Sequence, residues 1–101
     1  MCAPRQMAKI LKEDFGEICR DLAEVSQLLY KTPNWEAEGC TPRMVMEFCK
    51  KRRYGCIVVH NEDVIENIPG DPVLAFTVHE NRCYFYTGPA RRALAKRARP
   101  M

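Results

Sequence analysis

The sequence predicts a single α+β domain, and three observations support this prediction. The chain has 101 residues, of which 47% are hydrophobic and 29% are charged, as expected for one globular domain. Apolar residues recur every three or four positions from Met7 to Leu29, which indicates an amphipathic helix. After Gly55 this period gives way to β-branched and aromatic runs separated by turn residues, which indicates strands.

The first predicted element is a long helix over residues 6–30. Its apolar stripe consists of Met7, Leu11, Phe15, Ile18, Leu22, Val25 and Leu29. The helix is expected to end near Tyr30, because Pro33 disfavours helical backbone at Thr32.

A second helix is predicted over residues 42–54. Thr41 is a favourable N-cap, and Pro42 suits the first turn, where its missing N–H costs nothing. The cations from Lys50 to Arg53 would lie at the negative end of the helix dipole, and Gly55 is the expected left-handed terminator.

Three to four strands follow, at about residues 56–60, 64–68, 73–79 and 82–87, and a C-terminal helix is predicted over residues 89–97 after the Gly88-Pro89 turn signal. The expected order is ααββββα, with a mostly antiparallel sheet packed on the two long helices. Residues 1–5 are expected to be frayed, and residues 91–101 form a basic tail.

The last hairpin has a predictable register, since Glu80-Asn81 is a candidate two-residue turn. It assigns a core face to Leu74, Phe76, Val78, Cys83 and Phe85, and a second face to Ala75, Thr77, His79, Arg82, Tyr84 and Tyr86. Aromatic residues two apart beside a cation can stack on bases and neutralise phosphate. The alternative is that both tyrosines pack beneath a helix.

Cations are concentrated in two segments, although the net charge is only +3. One is Lys50 to Arg53, and the other is the acid-free segment 88–101; without these nine cations the chain has seven cations against thirteen acids. Such separation favours an anionic partner, nucleic acid first. The predicted contact residues are Lys50, Lys51, Arg52, Arg53, Arg82, Tyr84, Tyr86, Arg91, Arg92, Lys96 and Arg97.

The chain has six cysteines and begins without the apolar stretch of a secretory signal. Free thiols in an intracellular protein, cytoplasmic or nuclear, are therefore the preferred interpretation over disulfides. Cys49, Cys56 and His60 lack the C-x-x-C spacing of a structural zinc site, so no metal or cofactor is predicted. No run is long enough to span a membrane.

One catalytic alternative is a thiol hydrolase of the papain-like kind. Cys40 precedes a helix start, where backbone N–H groups lower a thiol pKa. His79 would serve as its base and Asn81 as the orienting group.

Residues 39–86 also resemble a known family in outline. Gly39-Cys40-Thr41 opens a helix, the strand 57–61 follows, and the apolar strand 73–78 precedes Tyr84-Phe85-Tyr86. This resembles the region ahead of the exonuclease in protein-primed family B DNA polymerases of viruses and large DNA transposons. The resemblance implies an accessory module in viral or mobile-element replication. Arg82-Cys83 stands where those segments often carry a histidine, which argues against an activity tied to that histidine. The polymerase and exonuclease motifs are absent, so no catalytic residue carries over.

The sequence thus favours a non-enzymatic module that docks an anionic partner. A second hypothesis is a protein-interaction or assembly module, self-association included, that uses the long amphipathic helix.

Overall fold

The α+β class and the predicted order of elements are confirmed in the computed structural model, which describes residues 3–32 and 40–98. The described residues form helices α1 (Ala3–Leu11), α2 (Phe15–Tyr30), α3 (Pro42–Arg52) and α4 (Gly88–Ala98). The strands are β1 (Gly55–His60), β2 (Asp63–Ile68), β3 (Val73–His79) and β4 (Arg82–Phe85). Strand boundaries agree with the predictions to within two residues.

The helix predicted over residues 6–30 is divided in two. Lys12 has left-handed backbone (φ 56°), and Asp14 caps the start of α2 by accepting a hydrogen bond from the Glu17 N–H at 3.1 Å. The sequence carries this signal, because Asp followed three residues later by Glu is a capping box. The beginning of the chain also differs from the prediction: α1 starts at Ala3 and buries Pro4, so residues 3–5 are helical rather than frayed.

Helix α3 begins as predicted but ends differently. The Thr41 hydroxyl accepts a hydrogen bond from the Met44 N–H at 3.2 Å. The left-handed residue after the helix is Arg53 (φ 59°), whereas Gly55 lies in β1. Gly55 is needed there for a different reason, namely close backbone contact with the segment that follows β2.

The sheet is mixed, with strand order β2-β1-β3-β4. β1–β2 and β3–β4 are antiparallel, as predicted for most of the sheet, but β1 and β3 are parallel. The chain therefore crosses the start of β1 between Ile68 and Val73. A Cβ on Gly70 would lie 2.4 Å from the Gly55 nitrogen, so the two backbones pass too closely for any side chain at residue 70.

The two faces of the sheet bury different partners. The face bearing Cys56, Val58, Leu74 and Phe76 packs with α1, α2 and α3 in the main core, which includes Met7, Leu22 and Phe48. The opposite face buries Ile57, Val59 and Ala75 beneath α4. Helix α4 is thus the only described element over the second face, and it covers only part of it.

Candidate functional site

The β3–β4 hairpin has the register that the sequence predicts. Phe76, Thr77, Val78 and His79 pair with Phe85, Tyr84, Cys83 and Arg82. The Tyr86 N–H continues the ladder by donating to the Ala75 carbonyl at 2.9 Å. Glu80 and Asn81 both have positive φ, 51° and 61°, the combination that a type I′ turn requires. Asn81 therefore has a structural role in the turn.

The two tyrosines of the second sheet face have different environments. Tyr84 is 48% exposed, and its ring lies 6.4 Å from that of His79. Arg82 and His79 are also exposed, and His79 Nε2 lies 3.8 Å from a Glu80 carboxylate oxygen. Tyr86 is half-buried against Ile57, Val59 and Ala75, together with Leu94 and Ala95 of α4. The predicted aromatic face is therefore divided, because α4 covers Tyr86 and leaves Tyr84 accessible.

The cations of α4 also fall into two groups. Arg91 is half-buried, and its Nη1 donates a hydrogen bond to the Val73 carbonyl at 2.7 Å, which fixes the helix to the start of β3. Arg92 and Lys96 are exposed and four residues apart, so they lie on one side of the helix. The Arg97 backbone belongs to α4, but its side chain is outside the described part of the structure.

The α3 basic cluster (Lys50 to Arg53) has a different position. Lys51 forms ion pairs with Glu24 and, at 3.6 Å, with Asp21 of α2. Arg52 pairs with Glu13 and with Asp21, where Nε donates at 2.8 Å and Nη2 at 2.5 Å. These two cations join α3 to α2.

Arg52 is the centre of this network and is packed as well as paired. Its side chain is 15% exposed, and the guanidinium lies 4.6 Å from the centroid of the Phe48 ring and 5.9 Å from that of Tyr54. The Tyr54 hydroxyl donates to Glu13 at 2.7 Å, and this bond together with burial raises the pKa of Tyr54. Burial opposes the charge on Arg52, but its bonds to Asp21, Tyr54 and Glu13 outweigh that cost and raise its pKa.

Asp21 shows the same balance. Burial raises its pKa, but the hydrogen bond and charge of Arg52, with a contribution from Lys51, outweigh burial and leave the pKa below its ordinary value. The remaining cluster members are more open: Lys50 lies 3.5 Å from Glu47 with 69% of its side chain exposed, and Arg53 is exposed at the end of α3. Half of the predicted cluster thus stabilises the helix pair.

The structure does not bring the predicted thiol-hydrolase residues together. Cys40 is buried (8% exposed) in the main core beside the helices, whereas His79 shares the opposite sheet face with Tyr84. Within the described residues, Cys49, Cys56 and Cys83 are free thiols. The pKa of Cys49 is raised by its hydrogen bond with Cys56 and by burial, and burial raises that of Cys83, so both thiols stay protonated and weakly nucleophilic.

Most of the apolar stripe that predicted an assembly surface is packed in or against the protein's own core. Met7, Ile18, Leu22 and Val25 are all buried, whereas Phe15 of the same stripe is 41% exposed. Leu28, which is outside the predicted stripe, is 73% exposed. Little of the predicted interaction face therefore remains available.

Sequence reasoning missed one feature, a groove between α1 and α4. It has a volume of about 510 Å³ and is lined by Gln6, Lys9, Ile10, Phe85, Thr87, Gly88 and Arg91. A signal existed, because α1, like α4, contains cations and no acid. The sequence could not show that these two helices, from opposite ends of the chain, face one cavity.

Comparisons with protein-family models, curated proteins and solved structures find no match to this chain. Within residues 3–32 and 40–98, no helix is both long and apolar enough to cross a membrane. In the same ranges, no group of three or more His, Cys, Asp or Glu side chains is arranged to hold a metal ion.

Proposed function

We propose that the protein is a non-enzymatic module that binds single-stranded nucleic acid. The observation that carries this proposal is the exposure of Tyr84, at 48%, on a sheet face whose neighbouring residues Arg82 and His79 are also exposed. An accessible ring on a strand can stack on a base, and an adjacent guanidinium can contact the phosphate.

Helix α4 supports the proposal from the same side of the sheet. It packs over Ile57, Val59 and Ala75 and presents Arg92 and Lys96 to solvent. No acid occurs anywhere in α4, so its positive field is not cancelled within the helix. The proposed surface therefore consists of Arg82, Tyr84, Arg92 and Lys96, which we call the α4 basic face.

Fluorescence anisotropy with labelled single-stranded DNA and RNA of about 12 nucleotides, a length that such surfaces accommodate, tests the proposal. Three phosphate contacts by the cations of the α4 basic face predict a log–log salt slope of about −2, since each contributes about 0.7 for a single strand. A duplex hides its bases, so weaker binding to duplex DNA is expected. No binding at low salt, or an affinity that does not change with salt concentration, would contradict the proposal.

The resemblance of residues 39–86 to a segment ahead of the exonuclease in protein-primed DNA polymerases is compatible with this function. An accessory role in viral or mobile-element replication stays a prediction that would follow only after nucleic-acid binding is measured.

A further inference from the structure

We propose that the groove between α1 and α4 is a second binding site, for a small phosphorylated ligand with a flat apolar body such as a nucleoside monophosphate. This site is separate from the α4 basic face, so the proposal does not depend on whether that face binds a nucleic-acid strand.

The groove has the size and composition of a small-molecule site. Its volume of about 510 Å³ lies within the roughly 300–1,000 Å³ typical of such pockets. Ile10 and the aromatic ring of Phe85 supply apolar lining, and Gln6 and Thr87 supply polar groups. Phe85 is held in place by the Phe76 ring, 5.6 Å away between centroids, so the apolar wall is already formed.

The charges indicate the sign of the ligand. The charged residues among the described lining of the groove are Lys9 and Arg91, and no carboxylate is present there. They come from helices that contain no acid, and two cations facing one cavity favour a dianionic phosphoryl group over a neutral ligand. The first turn of α4 adds the positive end of the helix dipole through Gly88.

Arg91 is already positioned for this role. Its Nη1 donates to the Val73 carbonyl at 2.7 Å, which fixes the guanidinium at the groove. A guanidinium carries five N–H donors, so this bond orients the group and leaves donor capacity for a phosphate. Lys9 is exposed on the facing helix and supplies a mobile ammonium group.

The test is an amide chemical-shift titration of the full chain with adenosine 5′-monophosphate. We expect saturable shifts at Lys9, Thr87, Gly88 and Arg91. Adenosine and inorganic phosphate should each bind more weakly, because adenosine lacks the phosphoryl group and inorganic phosphate lacks the flat apolar body. Lys9→Gln should weaken the binding roughly two- to fivefold, as for one exposed charge pair.

Lys12→Gln is the matched control. Lys12 directly follows α1 and is exposed like Lys9, its substitution makes the same change in net charge, and it does not line the groove. It should leave the affinity unchanged. Equal losses in the two variants, shifts centred elsewhere, or inorganic phosphate binding as tightly as the nucleotide would overturn the proposal. Oligonucleotide binding measured on the same variants shows separately whether the protein binds single-stranded nucleic acid.

Discussion

The two basic segments look alike in the sequence but differ in how many of their cations form ion pairs with acids in the folded chain. In the α3 basic cluster, Lys51 and Arg52 are paired with acids of α2 and the preceding turn. In α4, Arg92 and Lys96 are exposed in a helix that contains no acid. A run of cations in a sequence can therefore be taken up by ion pairs within the fold, as Lys51 and Arg52 are, or stay exposed, as Arg92 and Lys96 do.

This difference has an energetic basis. A half-buried guanidinium that has lost water requires partners, and Arg52 obtains them from Glu13 and Asp21. An exposed cation retains its hydration and contributes little to stability. Variants of Lys51 and Arg52 should therefore affect folding, and variants in the α4 basic face should affect binding.

The largest expected effect comes from Arg52→Ala. It removes the stacking on Phe48 and leaves Glu13 and Asp21 without their cation, so the free energy of unfolding should fall by about 2 to 4 kcal/mol. Urea denaturation followed by circular dichroism measures this loss. Arg53→Ala is the matched control on the neighbouring exposed residue, and an equal loss there would contradict a specific role for Arg52.

Tyr84→Ala tests the binding side of the comparison. Removing a stacking ring should weaken single-stranded oligonucleotide binding by about 1 to 3 kcal/mol. Tyr84→Phe keeps the ring and should bind nearly as well as the wild type. If both variants bind alike, stacking at Tyr84 has no part in the interaction.

The pH dependence of stability tests the ion-pair network. Because the pKa of Asp21 is lowered in the folded state, its contribution is present above its unfolded pKa of about 3.9 and is lost as pH falls below that value. Asp21→Asn should cost about 1 to 2 kcal/mol at neutral pH, and the gap to wild type should narrow at about pH 3. If Asp21→Asn lowers the free energy of unfolding by the same amount at both pH values, as measured by urea denaturation, the pKa of Asp21 is not lowered in the folded state.

Lys96→Gln should have the smallest effect on folding. Its side chain is exposed at the solvent side of α4, so the free energy of unfolding should change by no more than about 0.5 kcal/mol. A thermal melt checks this expectation, and a clear destabilisation would mean that Lys96 has a structural partner.

The sequence was sufficient for the local features of the fold. Hydrophobic period, the Thr41-Pro42 cap and the Glu80-Asn81 turn predicted α3 and the hairpin register, because each depends on residues close in the chain. The parallel pairing of β1 with β3 was not predicted, since it depends on the close passage of Gly70 over Gly55. The break at Lys12–Asp14 was missed because the apolar period continues through it, although the Asp14–Glu17 capping pair marks it.

The candidate site was only partly predictable for the same reason. Pattern and register correctly placed His79, Arg82, Tyr84 and Tyr86 on one face, but the covering of Tyr86 depends on where α4 packs. The pairing of Arg52 with Asp21 joins residues 31 positions apart, and the groove joins α1 to α4. Neither contact leaves a periodic signal in the sequence.

The most direct test of a binding surface on α4 uses two double variants at exposed cations with equal charge change, because substituting the paired Lys51 or Arg52 would also disturb folding. Lys50→Gln/Arg53→Gln and Arg92→Gln/Lys96→Gln each lower the net charge from +3 to +1. The measurement is the salt slope of single-stranded oligonucleotide binding for each variant. The α4 variant should lose about 1.4 from the slope, the share of two phosphate contacts, and the α3 variant should keep the wild-type value. Equal slopes in the two variants, or a loss confined to the α3 variant, would contradict a binding surface on α4.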